Sequence, residues 1–402
     1  MGAQVALALV LLIASGLMIR SFQNLRAVDP GFDAQSALSF SIGLPERDYP
    51  TREAGVAAHQ AILDGLAALP GVRTASASTC LPLSTGCFGN TLRVRGRVLA
   101  PGAVPPVALY RAVAGGYFDA MGMRVVRGRG IDRRDIEQRR PIVVVDQALV
   151  NQFFPNQNPI GEYVASNRPP PRPGEEPDLA WLEIVGVVSN TPIFALAEAH
   201  PLPQLYMPMS IASGPKITLD GPSTAVMNYV VRSTTPQGGL IAAVRRVVDT
   251  VDTTLALAQV RSLQEILDRA SAQMAFTMVL LLIAAIVALL LGVVGIYGVM
   301  SYLVTQRTGE IGVRLALGAE PHAVARMIVR QGGLVALCGV AAGLSAAATG
   351  SRLIDSLLYG VNARDPGVFA ATTAVLFAVA LIACWLPARR AARLNPLDAL
   401  RL

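Results

Sequence analysis

The stretch "MAFTMVLLLIAAIVALLLGVVGIYGVMSYLV", Met274–Val304, contains no charged side chain. As one helix its 31 residues reach about 46 Å, more than the roughly 30 Å of a bilayer's hydrocarbon core. It reads as a membrane span that tilts or projects beyond the membrane. Three further runs are uncharged and of about spanning length: residues 1–19, 331–351 and 366–388. The composition agrees. Of 402 residues, 52% are hydrophobic and only 15% charged, against about 25% charged in an ordinary soluble domain.

The expected architecture is an α-helical membrane protein with four predicted transmembrane helices and a large α+β extracytoplasmic domain between the first and second. The chain divides at 1–26 for the first helix, 27–270 for the outer domain and 271–402 for three helices with their connections. A cleaved signal peptide is the rival reading of residues 1–19, but a basic n-region and a small-x-small cleavage pattern are both missing.

Orientation follows from arginine. The connection after Val304 carries Arg307, Arg314, Arg326 and Arg330, and the tail carries Arg389, Arg390, Arg393 and Arg401. The connection between the third and fourth runs has Arg352 and Arg364, offset by Asp355 and Asp365. Arginine excess marks the cytoplasmic side, so both termini are expected inside and the middle region outside. Arg20 and Arg26 fall on the outer side against this trend. The net charge of +7 is read as charge placed at a membrane face; no basic patch with interleaved aromatics points to nucleic acid.

Within 27–270, "SALSFSIGL" (Ser36–Leu44) alternates as a half-buried strand. "REAGVAAHQAILDGLAALPG" (Arg52–Gly71) runs Val56, Leu63, Leu66 and Leu69 along a helix face and stops at Pro70-Gly71. Further strands are expected in "TLRVRG", "PPVALYRAV", "PIVVVDQAL", "WLEIVGVV" and "NYVVRS", and a second helix in "GGLIAAVRRVVDTV". The interleaving suits an α+β domain of one or two lobes. "PPPRPGEEPD" (Pro169–Asp178) reads as a stiff polar loop. Cys80 and Cys87 flank "LPLSTG"; an oxidising compartment permits a disulfide there, two free thiols being the alternative. Cys338 and Cys384 lie in apolar runs and read as packing residues.

Catalytic chemistry is not visible. Lys216, the only lysine, follows a proline and has no glycine-rich phosphate loop before it, so the chain is not expected to hydrolyse ATP. His59, His200 and His322 lack metal-ligand spacing and read as surface or helix-face residues. "GLSAA" at Gly343 is not a nucleophile elbow. No catalytic residue, metal site or cofactor is assigned.

"GEIGVRLALGAEPHAVARMIVR" (Gly309–Arg330) is amphipathic. On a helix from Gln306 to Leu317, Glu310 and Arg314 stand four apart in the favourable order, and Ile311, Leu315 and Ala316 make an apolar side. Gly318 can end that helix and Pro321 begin the next. Such a segment fits either an interfacial helix on lipid phosphates or a docking helix for a cytoplasmic partner. Gly292, Gly295 and Gly298 recur every third residue, and Gly339 and Gly343 stand four apart; both suit close helix packing, within the bundle or against a second copy.

"GIYGVMSYLVTQRTGEIGVRLALGAEPHAV" (Gly295–Val324) resembles the signature of the FtsX/MacB-type ABC transporter permeases, and "LPARRAARLNPLDALR" (Leu386–Arg401) is similar to their C-terminal tail. "GGYFDAMGMRVVRGRGI", "PIVVVDQALVNQFFPNQNPIGEYV" and "EIVGVVSNT" resemble the family's periplasmic core domain, so the likeness covers essentially the whole chain. "LLIASGLMIRSFQNLRAVDPGFD" (Leu11–Asp33) resembles the start of the second half of a duplicated permease. Gly309 departs from the family's usual arginine.

The resemblance implies a bacterial inner-membrane permease without its own cofactor, working with a cytoplasmic P-loop ATPase subunit that binds ATP. It also implies a second permease copy or half, contact with the lipid bilayer, and a periplasmic or outer-membrane partner. ATPase docking is carried over to Glu310, Ile311, Arg314, Leu315, Gly318 and Ala319. The expected activity is export or extraction of an amphipathic substrate, with motion transmitted along the second helix. A signal relay regulating an envelope enzyme or sensor, and a truncated half-permease, are the alternatives.

Overall fold

The computed structural model describes residues 2–84, 87–97, 100, 103–104, 106–166, 181–196, 201–212, 224–234, 236–306, 310, 313, 320–355 and 358–391. The chain forms two compact units, Asp29–Ala270 and the pair of segments Met1–Val28 and Ser271–Leu402. The polar loop expected at 169–178 lies outside the described residues, as do His200 and Lys216.

Helix α1 spans Gly2–Arg26. The α+β unit then opens with β1 (Ala37–Gly43), α2 (Arg52–Ala67) and β2 (Val72–Ser78). Next come β3 (Phe88–Val94), β4 (Val107–Val113), α3 (Tyr117–Met121), β5 (Val125–Gly128) and α4 (Arg133–Glu137). They are followed by β6 (Ile142–Asp146), α5 (Gln147–Phe153), β7 (Tyr163–Ser166), β8 (Leu182–Val188) and β9 (Gln204–Pro208). Strand β10 (Val226–Ser233), α6 (Gln237–Val251) and β11 (Leu257–Ser262) complete the sheet.

The strand order separates two lobes. The first is a four-stranded antiparallel sheet, β11-β1-β10-β2, in which β1-α2-β2 and β10-α6-β11 are two split β-α-β units. The second is inserted between β2 and β10. Its strands run β4-β3-β7-β8-β6-β9, and parallel pairing of β9 with β4 closes them into a six-stranded ring, with β5 added outside on β8. Closure removes the free edges that an open six-stranded sheet would present. One residue pair, Ser78 with Val113, joins the two sheets, while a continuous apolar cluster fills both lobes.

Several expectations need correction. Strand β1 is buried on both faces: Ser39 and Ser41 are as enclosed as Phe40 and Ile42, and the Ser41 hydroxyl donates to the Ala258 carbonyl at 3.2 Å. The strand expected at 141–149 stops at Asp146, whose carboxylate accepts from Leu149 N at 2.9 Å and starts α5. The buried face of α2 is Ala58, His59, Ile62, Leu63 and Leu66, with Val56 and Leu69 only partly covered. Thr51 caps that helix through Ala54 N.

His59 takes the helix-face alternative of the two expected for it: it lies on the inner face of α2 and is wholly buried. Its Nε2 lies 2.9 Å from the Thr224 carbonyl and its Nδ1 2.6 Å from the Tyr229 hydroxyl. A carbonyl can only accept, so Nε2 carries the proton and the tyrosine donates to Nδ1. The Tyr229 ring in turn stacks on Phe40, with centroids 5.1 Å apart.

The remaining helices are long. Helix α7 runs Leu263–Gln306, α8 Pro321–Ile354 and α9 Pro366–Ala391. Among the described residues four segments are long and apolar enough to cross a membrane: Gly2–Arg26, Met274–Gln306, Gly332–Ile354 and Pro366–Arg389. Helix α8 starts where Pro321 can begin a helix, its missing N–H costing nothing there.

Burial lowers the His59 pKa to about 4, with the Thr224 hydrogen bond acting the other way. An unfolded histidine takes its proton near 6.5, so acidification from about 6.5 to about 4 favours the unfolded chain, by up to roughly 3 kcal/mol. The purified chain should therefore lose denaturant resistance across that interval, and His59→Gln should flatten the part of the profile obtained as the difference between the two proteins.

Candidate functional site

Small residues set the contacts inside the helical unit. A Cβ added at Gly339 would lie 2.8 Å from Val5 Cβ, and one at Gly343 would lie 3.0 Å from the Ala6 carbonyl oxygen. The two glycines therefore let α8 approach the α1 backbone more closely than any larger residue permits. Gly16 of α1 does the same toward α9, where a Cβ would stand 2.8 Å from Val368. Gly332 of α8 faces Cys384 and Met300. Around these approaches Leu9, Ile13, Leu17, Val340, Leu376 and Ala380 form an apolar core.

The glycines of α7 behave differently. Gly292 and Gly298 have nothing within 4 Å of an added Cβ, and Gly295 faces only the flexible Gln4 amide, at 2.6 Å. Steps of three residues turn about 300° around a helix, so three such glycines drift off a common face. Gly292 is buried and lines a small apolar space shared with Val5 and Ala8 of α1 and Leu376 and Ala380 of α9, whereas Gly298 is exposed and makes no bundle contact of this kind. Cys338 is likewise exposed rather than packed, whereas Cys384 is buried.

A polar clasp holds the C-terminal end of α1 to the connection between α8 and α9. Arg20 pairs with Asp365 at 2.7 Å, and Ser21 Oγ accepts from Tyr359 N at 2.7 Å. Asn24 Nδ2 donates to the Gly360 carbonyl at 2.9 Å. The same Asp365 carboxylate accepts from Val368 N at 3.1 Å, so one side chain both neutralises Arg20 and caps α9.

The origin of α7 is equally defined. Strand β11 ends at Ser262 and α7 begins at Leu263, with no residue between. Ser262 Oγ accepts from Glu265 N at 3.0 Å while Glu265 Oε2 accepts from Ser262 N at 3.3 Å, a reciprocal capping box. Leu263 and Ile266 are buried in the core of the α+β unit, and Ile296 and Met300 in that of the helical unit. Between them the helix carries exposed Phe276, Ile283, Ile286, Leu290 and Leu291. Its 44 residues span about 66 Å at 1.5 Å per residue.

Of the expected docking residues, Glu310 is helical and exposed. Ile311, Arg314, Leu315, Gly318 and Ala319 lie outside the described residues. Cys80 and Cys87 are joined in a disulfide with Cα atoms 5.3 Å apart. Among the described residues no three of His, Cys, Asp and Glu are grouped to hold a metal.

Sequence reading missed a buried polar cluster in the ring lobe. Arg111 on β4 is fully buried, its guanidinium 5.6 Å from the centroid of the Tyr206 ring on β9, the residue it pairs with in register. The Tyr206 hydroxyl donates to Gln204 Oε1 at 3.1 Å, and Gln204 Nε2 donates to the Thr191 carbonyl at 2.7 Å. Asp146 lies at the end of β6, beside β9. Burial pushes its carboxyl up to about 7, opposed by the Leu149 and Gln204 backbone N–H groups and by Arg111. The one signal was an arginine inside the otherwise small and apolar "VALYRAV".

A bundle of span-length helices tied by glycine contacts, one of them continuous with the edge strand of an α+β unit, is the architecture of an α-helical membrane protein carrying a large α+β domain. The MacB-like periplasmic core domain model matches residues 5–263, and the FtsX-like permease C-terminal model matches residues 282–396. The chain belongs to this MacB/FtsX-like permease family. It is 28% identical over 298 residues to the macrolide export ATP-binding/permease protein MacB of Shewanella sp. (strain W3-18-1), covering 71% of this chain and 42% of that protein. It is also 28% identical over 311 residues to the MacB of Salmonella typhimurium, covering 72% and 42%. The chain thus spans 42% of the length of these relatives. A crystal structure of the periplasmic region of MacB from Actinobacillus actinomycetemcomitans aligns at 16% identity and a TM-score of 0.38, covering 61% of this chain and 95% of that one.

Gly343→Leu should force α8 away from Ala6 and Leu9 of α1 and lower stability by about 1–3 kcal/mol, the usual cost of overpacking. Gly298→Leu, facing open space, should leave it nearly unchanged. Thermal unfolding of the two detergent-purified variants beside the parent measures the contrast.

Proposed function

We propose that this chain is a permease subunit of the bacterial inner membrane, with both termini cytoplasmic and the α+β unit outside. A separate cytoplasmic P-loop ATPase binds ATP and docks on the segment containing Glu310, Arg314 and Leu315. Its nucleotide-driven motion passes along α7 to the outer unit and drives export or extraction of an amphipathic substrate. A second permease copy or half completes the transporter, and a periplasmic or outer-membrane partner receives the substrate.

The observation that carries this reading is the continuity of α7. It runs unbroken from the capping box at Ser262 to Gln306, four residues before Glu310. An uninterrupted helix transmits displacement along its axis without needing a pore. The arginine excess in the Glu310 connection and in the tail supports the cytoplasmic placement of both. At the opposite end of α1 the Arg20–Asp365 pair neutralises one of the two basic residues that run against this trend, Arg26 being the other. Coupling requires the nucleotide state of the ATPase to favour one permease conformation over another.

Two experiments test the reading. Tagged chain extracted gently from native membranes should bring down a P-loop ATPase, identified by mass spectrometry, and the double substitution Glu310→Lys with Leu315→Asp should lose it. A folded parent chain that recovers no ATPase overturns the proposal. Separately, Val287→Pro, at an exposed position of α7, should bend the helix and break transmission. ATPase recovery should persist in that variant while substrate retention by cells rises to that of a deletion strain.

A further inference from the structure

The last turns of α1 and the outer third of α7 frame an open groove of about 680 Å³, within the range of about 300–1,000 Å³ typical of small-ligand sites. On α1 it is lined by Ile19, Phe22, Gln23 and Arg26, which at offsets of three, four and seven residues share one helix face. Met278 and Leu282, one turn apart on α7, form the opposite wall. The floor is therefore apolar and continuous with the flanks of two span-length helices.

The end of the groove is cationic. Arg26 is exposed, has its guanidinium carbon 5.7 Å from the centroid of the Phe22 ring, and has no ion-pair partner among the described residues. Arg20, six residues earlier, is already neutralised by Asp365. One free positive charge thus stands at the mouth of an apolar trough, about 9 Å beyond Arg20 along the helix axis. An occupant with a hydrocarbon tail and a net negative head satisfies both features, whereas a neutral apolar segment would leave the arginine unused.

The geometry points to an anionic phospholipid of the surrounding bilayer, its acyl chain lying between α1 and α7 and its phosphate at Arg26. The inference rests on the membrane placement proposed above. In that placement the groove opens into the leaflet facing away from the ATPase, because Arg26 is at the same end of α1 as the clasp to Gly360 and Asp365. Basic side chains between helices at a headgroup level are a recognised means of selecting anionic lipids.

The test uses the full chain in bilayer discs of equimolar phosphatidylcholine and phosphatidylglycerol, released into mild detergent and weighed by native mass spectrometry. The parent should retain phosphatidylglycerol over phosphatidylcholine by about fivefold, the factor expected for one basic side chain at an anionic surface. Arg26→Gln should abolish that preference while total lipid retention persists. Leu282→Trp, which fills the trough, should reduce retention of both lipids. An unchanged ratio in Arg26→Gln, or no preference in the parent, overturns the inference. So does a parent without lipid whose dimer dissociates on Leu282→Trp, because a second copy then fills the groove. A chain that fails to enter the discs overturns the membrane placement as well, whereas an inserted chain without lipid preference overturns the groove assignment alone.

Discussion

The passage from β11 into α7 at Ser262 constrains the way this chain can move. A loop between strand and helix would absorb rotation, but here the strand's last residue is the helix cap. The reciprocal bonds between Ser262 and Glu265 occupy two of the N–H groups that a helix start otherwise leaves free. Leu263 and Ile266 are then sunk into the core of the α+β unit. The first turn of α7 is thereby part of that unit's packed interior. Few devices available to a twenty-residue alphabet couple a strand to a long helix more directly.

The inserted ring fits the same constraint. The split β-α-β lobe supplies both β11 and the neighbouring β1, which pairs with it along a register shifted between Ser39 and Ser41. The ring lobe enters and leaves through β2 and β10 on the far side of that sheet. Its closure by the β4–β9 pairing means that it does not depend on the first sheet for its strand partners, which meet it at the Ser78–Val113 pair. Shared apolar packing unites the two lobes, together with two backbone hydrogen bonds, Ala114 N to the Ala77 carbonyl at 2.8 Å and Thr79 N to the Ala112 carbonyl at 3.0 Å. Hydrophobic burial is non-directional, so this arrangement can hold the lobes together while tolerating small shifts between them better than a shared ladder would.

Periodicity made the long elements legible, and its absence hid the short ones. An uncharged run of Met274–Val304 admits few readings, and the alternation of β1 or the apolar content of β8 is equally plain. Strand β6 was overrun because "VVVDQAL" stays apolar past Asp146; the stop is a capping hydrogen bond, which composition does not encode. The docking segment was legible as an amphipathic pattern, but most of its residues have no described geometry to set beside it. The polar cluster of Arg111, Asp146, Gln204 and Tyr206 comes from three strands and is assembled only by ring closure. Surface and helix-face placements of His59 could not be told apart locally because its partners, Thr224 and Tyr229, are about 165 residues away.

Glycine spacing shows the same limit from the other side. Gly339 and Gly343 repeat every four residues and stay on one face, where α1 meets them. Gly292, Gly295 and Gly298 repeat every three and rotate around α7, so that Gly292 is buried while Gly298 is exposed, and neither brings a neighbouring backbone close. The consequence is a division of labour among the helices. α1, α8 and α9 are locked by close backbone approach and by the Arg20–Asp365 clasp. α7 meets that block along one side, with Ile296 and Met300 buried and Ala288, Leu289, Val293, Leu303 and Val304 partly covered, and is exposed along the other. A helix fixed at its strand junction and packed on one side only has fewer interdigitated side chains to separate, if it moves, than the trio held by close backbone approach. The one-sided packing of α7 is thus the counterpart of its capped root: the motion proposed for it needs both a fixed origin and a side free of interdigitated contacts.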